Sequence, residues 1–151
     1  YYEKRYTKTY YDNKGVIISL PDIIQKGSNL TFDELAYLWQ ARRHRDQAPA
    51  TSSNELTMIN YYLSAYEKPA MALQHLEAYL GKERLDVAMQ TYYQQWQFKH
   101  PQPQHFRQIL ENATGENLSW LFDGLLYSNA QLDYAISNLQ EADNYKITVV
   151  N

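Results

Sequence analysis

Two apolar ladders on either side of one glycine constrain this chain more than any other feature. Pro69, Ala72, Leu73, Leu76 and Leu80 follow the i, i+3, i+4, i+7, i+11 spacing of a single helix face, and Leu85, Ala88, Met89, Tyr92 and Trp96 repeat it after Gly81. Proline is at home in a first helical turn, where its missing N–H is not needed. Gly81 offers a left-handed stop between the two ladders. The pattern predicts two antiparallel helices joined by a tight turn, with Leu73, Leu76 and Leu80 packed on Leu85, Met89 and Tyr92.

The rest of the chain reads the same way. Residues 1–13 form a potential helix ending at Gly15, with Tyr2, Tyr6, Thr9 and Tyr10 on one side. No capping residue precedes Tyr1, so the helix is expected to be a cut element and the chain an excised or processed piece. Val16 to Leu20 is a short apolar run before Pro21, and Gly27-Ser28-Asn29 marks a loop. Thr31-Phe32-Asp33-Glu34 has the form of a capping box opening a helix with Phe32, Leu35, Ala36 and Trp39 on one face. Glu55 to Ser64 predicts a helix with Ile59, Tyr62 and Leu63 inward. Lys82 to Phe98 is one helix, broken by His100-Pro101-Gln102-Pro103. Phe106, Ile109, Leu110 and Ala113 predict a short helix ended by Gly115, and Leu118, Leu121, Phe122 and Leu125 another. Only Tyr145 to Val150 is enriched in β-branched residues, and it reads as one strand with no partner. The expected fold is an all-α bundle of antiparallel helix pairs over residues 1–143, with 144–151 beginning a β segment.

Composition narrows the function classes. A chain of 151 residues with 44% hydrophobic and 21% charged residues can bury a real core. Its net charge of −3 argues against a nucleic-acid partner. Without cysteine there is neither a disulfide nor a thiolate metal site. No apolar run reaches the roughly 18 residues of a membrane span. The basic cluster Arg42-Arg43-His44-Arg45 reads as cations complementing a helix C-terminus.

The candidate chemistry lies just ahead of the first ladder, in Ser64-Ala65-Tyr66-Glu67-Lys68-Pro69-Ala70. Tyr66 is expected at a break before a helix start, its phenol free of the helix interior and its neighbours Glu67 and Lys68 making the turn polar. On spacing alone it also reads as a packing residue, one of 15 tyrosines. After it come Leu80-Gly81, Tyr92-Tyr93, Phe98-Lys99-His100-Pro101, Phe106, and then residues 113–122, Ala-Thr-Gly-Glu-Asn-Leu-Ser-Trp-Leu-Phe. This ordered set resembles the zinc metallo-aminopeptidases of the aminopeptidase N type. Their catalytic lobe carries Tyr-(Glu or Asp)-Lys-Gly, a helix ending in Leu-Gly, a (Ser or Thr)-Gly turn and a Leu-x-Trp-(Phe or Leu)-Phe segment. The resemblance covers residues 65–126, and Pro69 departs from it by standing where many members have Gly.

The resemblance implies the helical C-terminal part of a thermolysin-like catalytic domain, acting on peptide substrates, with Tyr66 as the catalytic donor to the developing oxyanion. It also implies zinc in the intact enzyme. A zinc peptidase of this kind needs His-Glu-x-x-His on one helix and a later Glu ligand. The histidines here are His44, His75, His100 and His105, none of them spaced that way. The 151 residues thus carry no metal ligand set and are expected to be inactive alone. Tyr1-Tyr2-Glu3 looks like the stretch that follows the third zinc ligand in the family, which would put the ligands upstream and make the remainder of the catalytic domain a partner of this piece. Two other readings stay open. A helical-repeat interaction module would also have short-linked helix pairs, though no period of about 34 to 47 residues is present. A freestanding enzyme of another type would need paired carboxylates in a recognisable setting.

Overall fold

The computed structural model describes residues 1–11, 32–130, 135–140 and 146–150. The expected end of the first helix at Gly15, the Val16–Leu20 run, the loop at Gly27 and the Thr31 half of the capping box lie outside the described residues. Helices α1 (Tyr2–Tyr10), α2 (Phe32–Arg42), α3 (Met58–Tyr62), α4 (Lys68–Leu80), α5 (Lys82–Trp96) and α6 (Pro103–Thr114) dominate the chain. Two turns of π-helix, π1 (Leu63–Glu67) and π2 (Trp120–Leu126), interrupt or follow them. The fold is mainly helical, as expected.

The hairpin forms from the two ladders around Gly81. Ala72, Leu76, Leu80, Leu85 and Ala88 are buried together with Leu110 of α6 and with Leu118, Leu121 and Phe122, while Leu73, Met89 and Phe106 pack at the margin. Tyr92 faces α6, its ring edge-on to Phe106 with centroids 4.9 Å apart. Trp96 lies outside this core, stacked on His105 at 4.3 Å. Gly81 has φ 83° and ψ 151°, a more extended conformation than the left-handed stop expected of it. That region is essentially reserved for glycine, and no atom lies within 4 Å of where a Cβ would sit. Gly81→Ala should therefore cost about 1–3 kcal/mol from backbone strain alone. A shift of less than about 0.5 kcal/mol in denaturant unfolding, within the range of neutral surface changes, would contradict this. Gly115, with φ 70° and ψ 11°, is the left-handed residue that ends α6.

α1 lies across the hairpin and is tied to it by polar groups, with none of its own residues buried. Tyr1 donates its hydroxyl to Glu77. Arg5 forms a two-pronged pair with Asp86, both contacts at 2.7 Å. The Arg5 guanidinium holds the Asp86 carboxyl below its usual range, mainly through these bonds.

Three expectations fail. The strand Lys146–Val150 does have a partner: it pairs antiparallel with Ala135–Gln140, Leu139 opposite Ile147 and Ala135 opposite Val150. The partner strand is hard to see in sequence, because Ala-Ile-Ser-Asn-Leu-Gln has one β-branched residue and three polar ones. Ile59 and Tyr62 were expected inward, yet both are about half exposed, and of that trio only Leu63 is buried. Trp39 and Phe32 on α2 are exposed as well, and α2 instead buries Glu34 and Ala41. In both places the inner face includes a polar residue, Asn60 in one and Glu34 in the other.

Candidate functional site

No break separates Tyr66 from the helix that follows it. α3, π1 and α4 form one continuous helical rod from Met58 to Leu80, and Tyr66 sits inside the π turn. Pro69 favours that turn. Within a regular helix a proline ring collides with the carbonyl four residues back, here Ala65. Widening the preceding turn by one residue moves that carbonyl away, and the Lys68 N–H accordingly reaches back five residues to the Leu63 carbonyl. The departure from the family pattern at Pro69 is thus matched by a local change of helix type. π turns of this kind occur often at functional sites.

The rod shows two unlike faces. On the outer face Tyr66 is 59% exposed, and its ring lies near-parallel to that of Tyr62 at 5.9 Å. Among the described residues the Tyr66 hydroxyl has no hydrogen-bond partner. Partial burial, with Asp33 and Glu67 nearby, pushes the Tyr62 phenol up. Ile59 and Tyr61 continue this exposed aromatic and aliphatic surface. The phenol of Tyr66 is therefore free to meet a group from outside, in keeping with an accessible hydroxyl.

The inner face is polar and sealed. Asn60, Ser64, Glu67 and Lys68 are each no more than 5% exposed, so Glu67 and Lys68 do not form the polar surface turn that was expected. The Asn60 amide donates to the Arg45 carbonyl at 2.8 Å and to Gln47 Oε1 at 3.0 Å. Ser64 donates to Asn60 Oδ1 at 3.3 Å and accepts from the Gln47 N–H at 3.4 Å. Lys4 of α1 donates to Glu67 and lies 3.6 Å from Glu34. Lys68 reaches Asp46 Oδ2 at 3.4 Å and donates to the Ser128 carbonyl at 3.0 Å, over the ring of Tyr37. Burial pulls the Lys68 ammonium down from its ordinary value, opposed by the Asp46 charge. Among the described residues the second Asp46 oxygen, Oδ1, is buried without a hydrogen-bond partner, while the Asp46 charge adds to burial in raising the nearby Tyr37 phenol. Sequence reasoning passed over Asp46, Asn60 and Ser64, since no periodicity marks a buried polar set. The one available signal was the inverted pattern, with apolar residues at 58, 59, 61, 62 and 66 and polar ones at 60, 64, 67 and 68.

The histidines do not converge. His44 follows α2 with φ 53° and helps end it, beside Arg43 stacked over Trp39. His75 and His100 are exposed. His105 caps α6, its Nδ1 accepting the Gln102 N–H at 2.9 Å. Among the described residues no group of three metal-ligating side chains comes together. These residues do not fit a zinc ion. Among them, too, no helix is long and apolar enough to cross a membrane.

Comparison with curated proteins and with solved structures returned no match. A protein-family model does match: the peptidase family M1 domain, over residues 40–125. That span is more than half of the chain and runs from the end of α2 to π2. It takes in the whole π1 rod, with Tyr66, and the inner-face residues Asp46, Asn60, Ser64, Glu67 and Lys68. The ordered motifs from Tyr66 to Phe122, the helical architecture and this match together show that the chain belongs to peptidase family M1.

Proposed function

We propose that this chain is the helical C-terminal part of the catalytic domain of a zinc-dependent aminopeptidase, with Tyr66 as the donor that stabilises the oxyanion. The observation that carries the reading is an exposed phenol, without a hydrogen-bond partner among the described residues, on a π turn whose opposite face is locked by buried polar bonds. A donor fixed before the substrate arrives loses little on reorganisation. When water adds to a scissile carbonyl, negative charge gathers on the carbonyl oxygen. A Tyr66 hydroxyl about 3 Å from that oxygen strengthens its hydrogen bond as the charge grows, which lowers the barrier more than it tightens substrate binding.

Zinc enters this proposal from outside the chain. Bound in the intact enzyme, it would polarise the carbonyl and activate the water. The residues present here supply no ligand set for it, so its ligands belong to chain beyond these 151 residues. α1 supports that arrangement, because the Lys4 bond to Glu67 lays the helix beside the Tyr66 turn. Residues 1–143 as the helical part and 144–151 as the start of a following β segment belong to the same proposal, with the Ala135–Gln140 strand inside the first. The partners are a peptide substrate and the remainder of the catalytic domain. The match to a peptidase domain favours this reading over the repeat-module alternative.

The intact protein should release N-terminal residues from peptides with a free amine and leave N-acetylated peptides uncut. Chelation should abolish the activity and zinc should restore it. Internal cleavage of acetylated peptides, or full activity in chelator, would overturn the reading.

A further inference from the structure

The Asp46–Lys68 pair is buried, lies beside the Tyr66 turn and has no part in the chemistry above. We propose that it is a positioning device, a tether that holds the π1 turn in its widened form and so aims Tyr66. This rests on the reading of Tyr66 as the oxyanion donor.

The argument is geometric. Asn60, Ser64 and Lys68 all reach one short stretch, residues 45–47: Asn60 to the Arg45 carbonyl and Gln47, Ser64 to Gln47, and Lys68 to Asp46. In an unbroken α-helix, residues eight apart are rotated by about 80° from each other, at about 100° per residue. Asn60 and Lys68 would then sit at the two edges of one face instead of in line. One extra residue in the π turn takes about 100° back out and returns Lys68 to the face of Asn60. Both ends of the turn are thereby clamped to the same loop. Relaxation to α geometry would have to release one clamp, and Tyr66 lies between them.

Lys68 is the stronger end. Its ammonium joins three separate segments: the loop after α2 through Asp46, the stretch after π2 through the Ser128 carbonyl, and α2 through the Tyr37 ring. Asn129 adds a contact to the Asp46 carbonyl at 3.4 Å.

The test compares Asp46→Asn/Lys68→Met with wild type in the full protein. Lys68→Met alone leaves a carboxylate buried without its cation and invites unfolding; the double variant removes both charges. We expect a folded protein whose amides at residues 65–67 exchange at least about 10-fold faster, while those at 74–79 in α4 do not change. Its kcat should fall about 10-fold or more with KM within about twofold, the split expected when a transition-state contact is misaimed. Unchanged exchange at 65–67 overturns the proposal. Faster exchange with unchanged kcat, in a protein where Tyr66→Phe does lower kcat, overturns it too. Should Tyr66→Phe leave kcat intact, the oxyanion reading fails separately, and the exchange result alone decides whether the pair holds the turn.

Discussion

Replacing Tyr66 by Phe in the intact enzyme should lower kcat by about 100-fold or more and leave KM nearly unchanged. Removal of a single oxyanion donor typically costs on the order of 100- to 1,000-fold in rate. The loss falls on kcat because the bond strengthens only as charge develops, so ground-state binding barely senses it. Stability should hardly move, since the hydroxyl is exposed and has no partner among the described residues. Steady-state kinetics with a peptide substrate, paired with a denaturant melt, separates the two effects. A variant with near-full kcat would return Tyr66 to the status of a surface aromatic stacked on Tyr62.

The largest stability effect is expected at Lys68. The pair it makes with Asp46 has side chains 6% and 2% exposed, and its 3.4 Å length is too long for a strong direct bond. Removing the cation by Lys68→Met leaves the Asp46 carboxylate buried, with one oxygen already unpartnered among the described residues. Breaking such a pair typically costs about 3–5 kcal/mol, because the remaining charge has lost its compensation. Arg84–Glu116 makes a useful contrast, with the arginine side chain 50% exposed. Its loss should cost about 0–1 kcal/mol. Urea unfolding of both variants, read as a change of midpoint at constant slope, measures the difference. Equal small losses would mean that Asp46 finds water or rearranges once Lys68 is gone.

The helical hairpin was legible because its signal is local and redundant. Leu76, Leu80, Leu85 and Ala88 sit on one period, and Gly81 marks the turn between them. The register through Met58–Lys68 was not legible, for a physical reason. Hydrophobic periodicity assumes that apolar residues go inward, whereas here Asn60, Ser64 and Lys68 do so because each finds a bond, and Ile59, Tyr62 and Tyr66 stay out. By its sequence position Pro69 marks the start of a helix. In the rod it widens a turn of a helix already under way. Tyr66 itself came from resemblance alone, and no spacing rule separates it from the other tyrosines. The Ala135–Gln140 strand escaped notice because its pairing with Lys146–Val150, and not its composition, makes it a strand. Trp39 and Trp96 show the same limit from the other side. Both were placed on apolar faces, yet one is exposed against Arg43 and the other stacks on His105.

The most direct test of the central claim is a structure of the intact protein bound to a tetrahedral transition-state analogue of peptide hydrolysis. Tyr66 Oη should lie about 2.7–3.1 Å from the analogue oxygen that stands for the oxyanion, with the π1 turn unchanged. An analogue bound with Tyr66 Oη beyond hydrogen-bond reach of that oxygen would contradict the account.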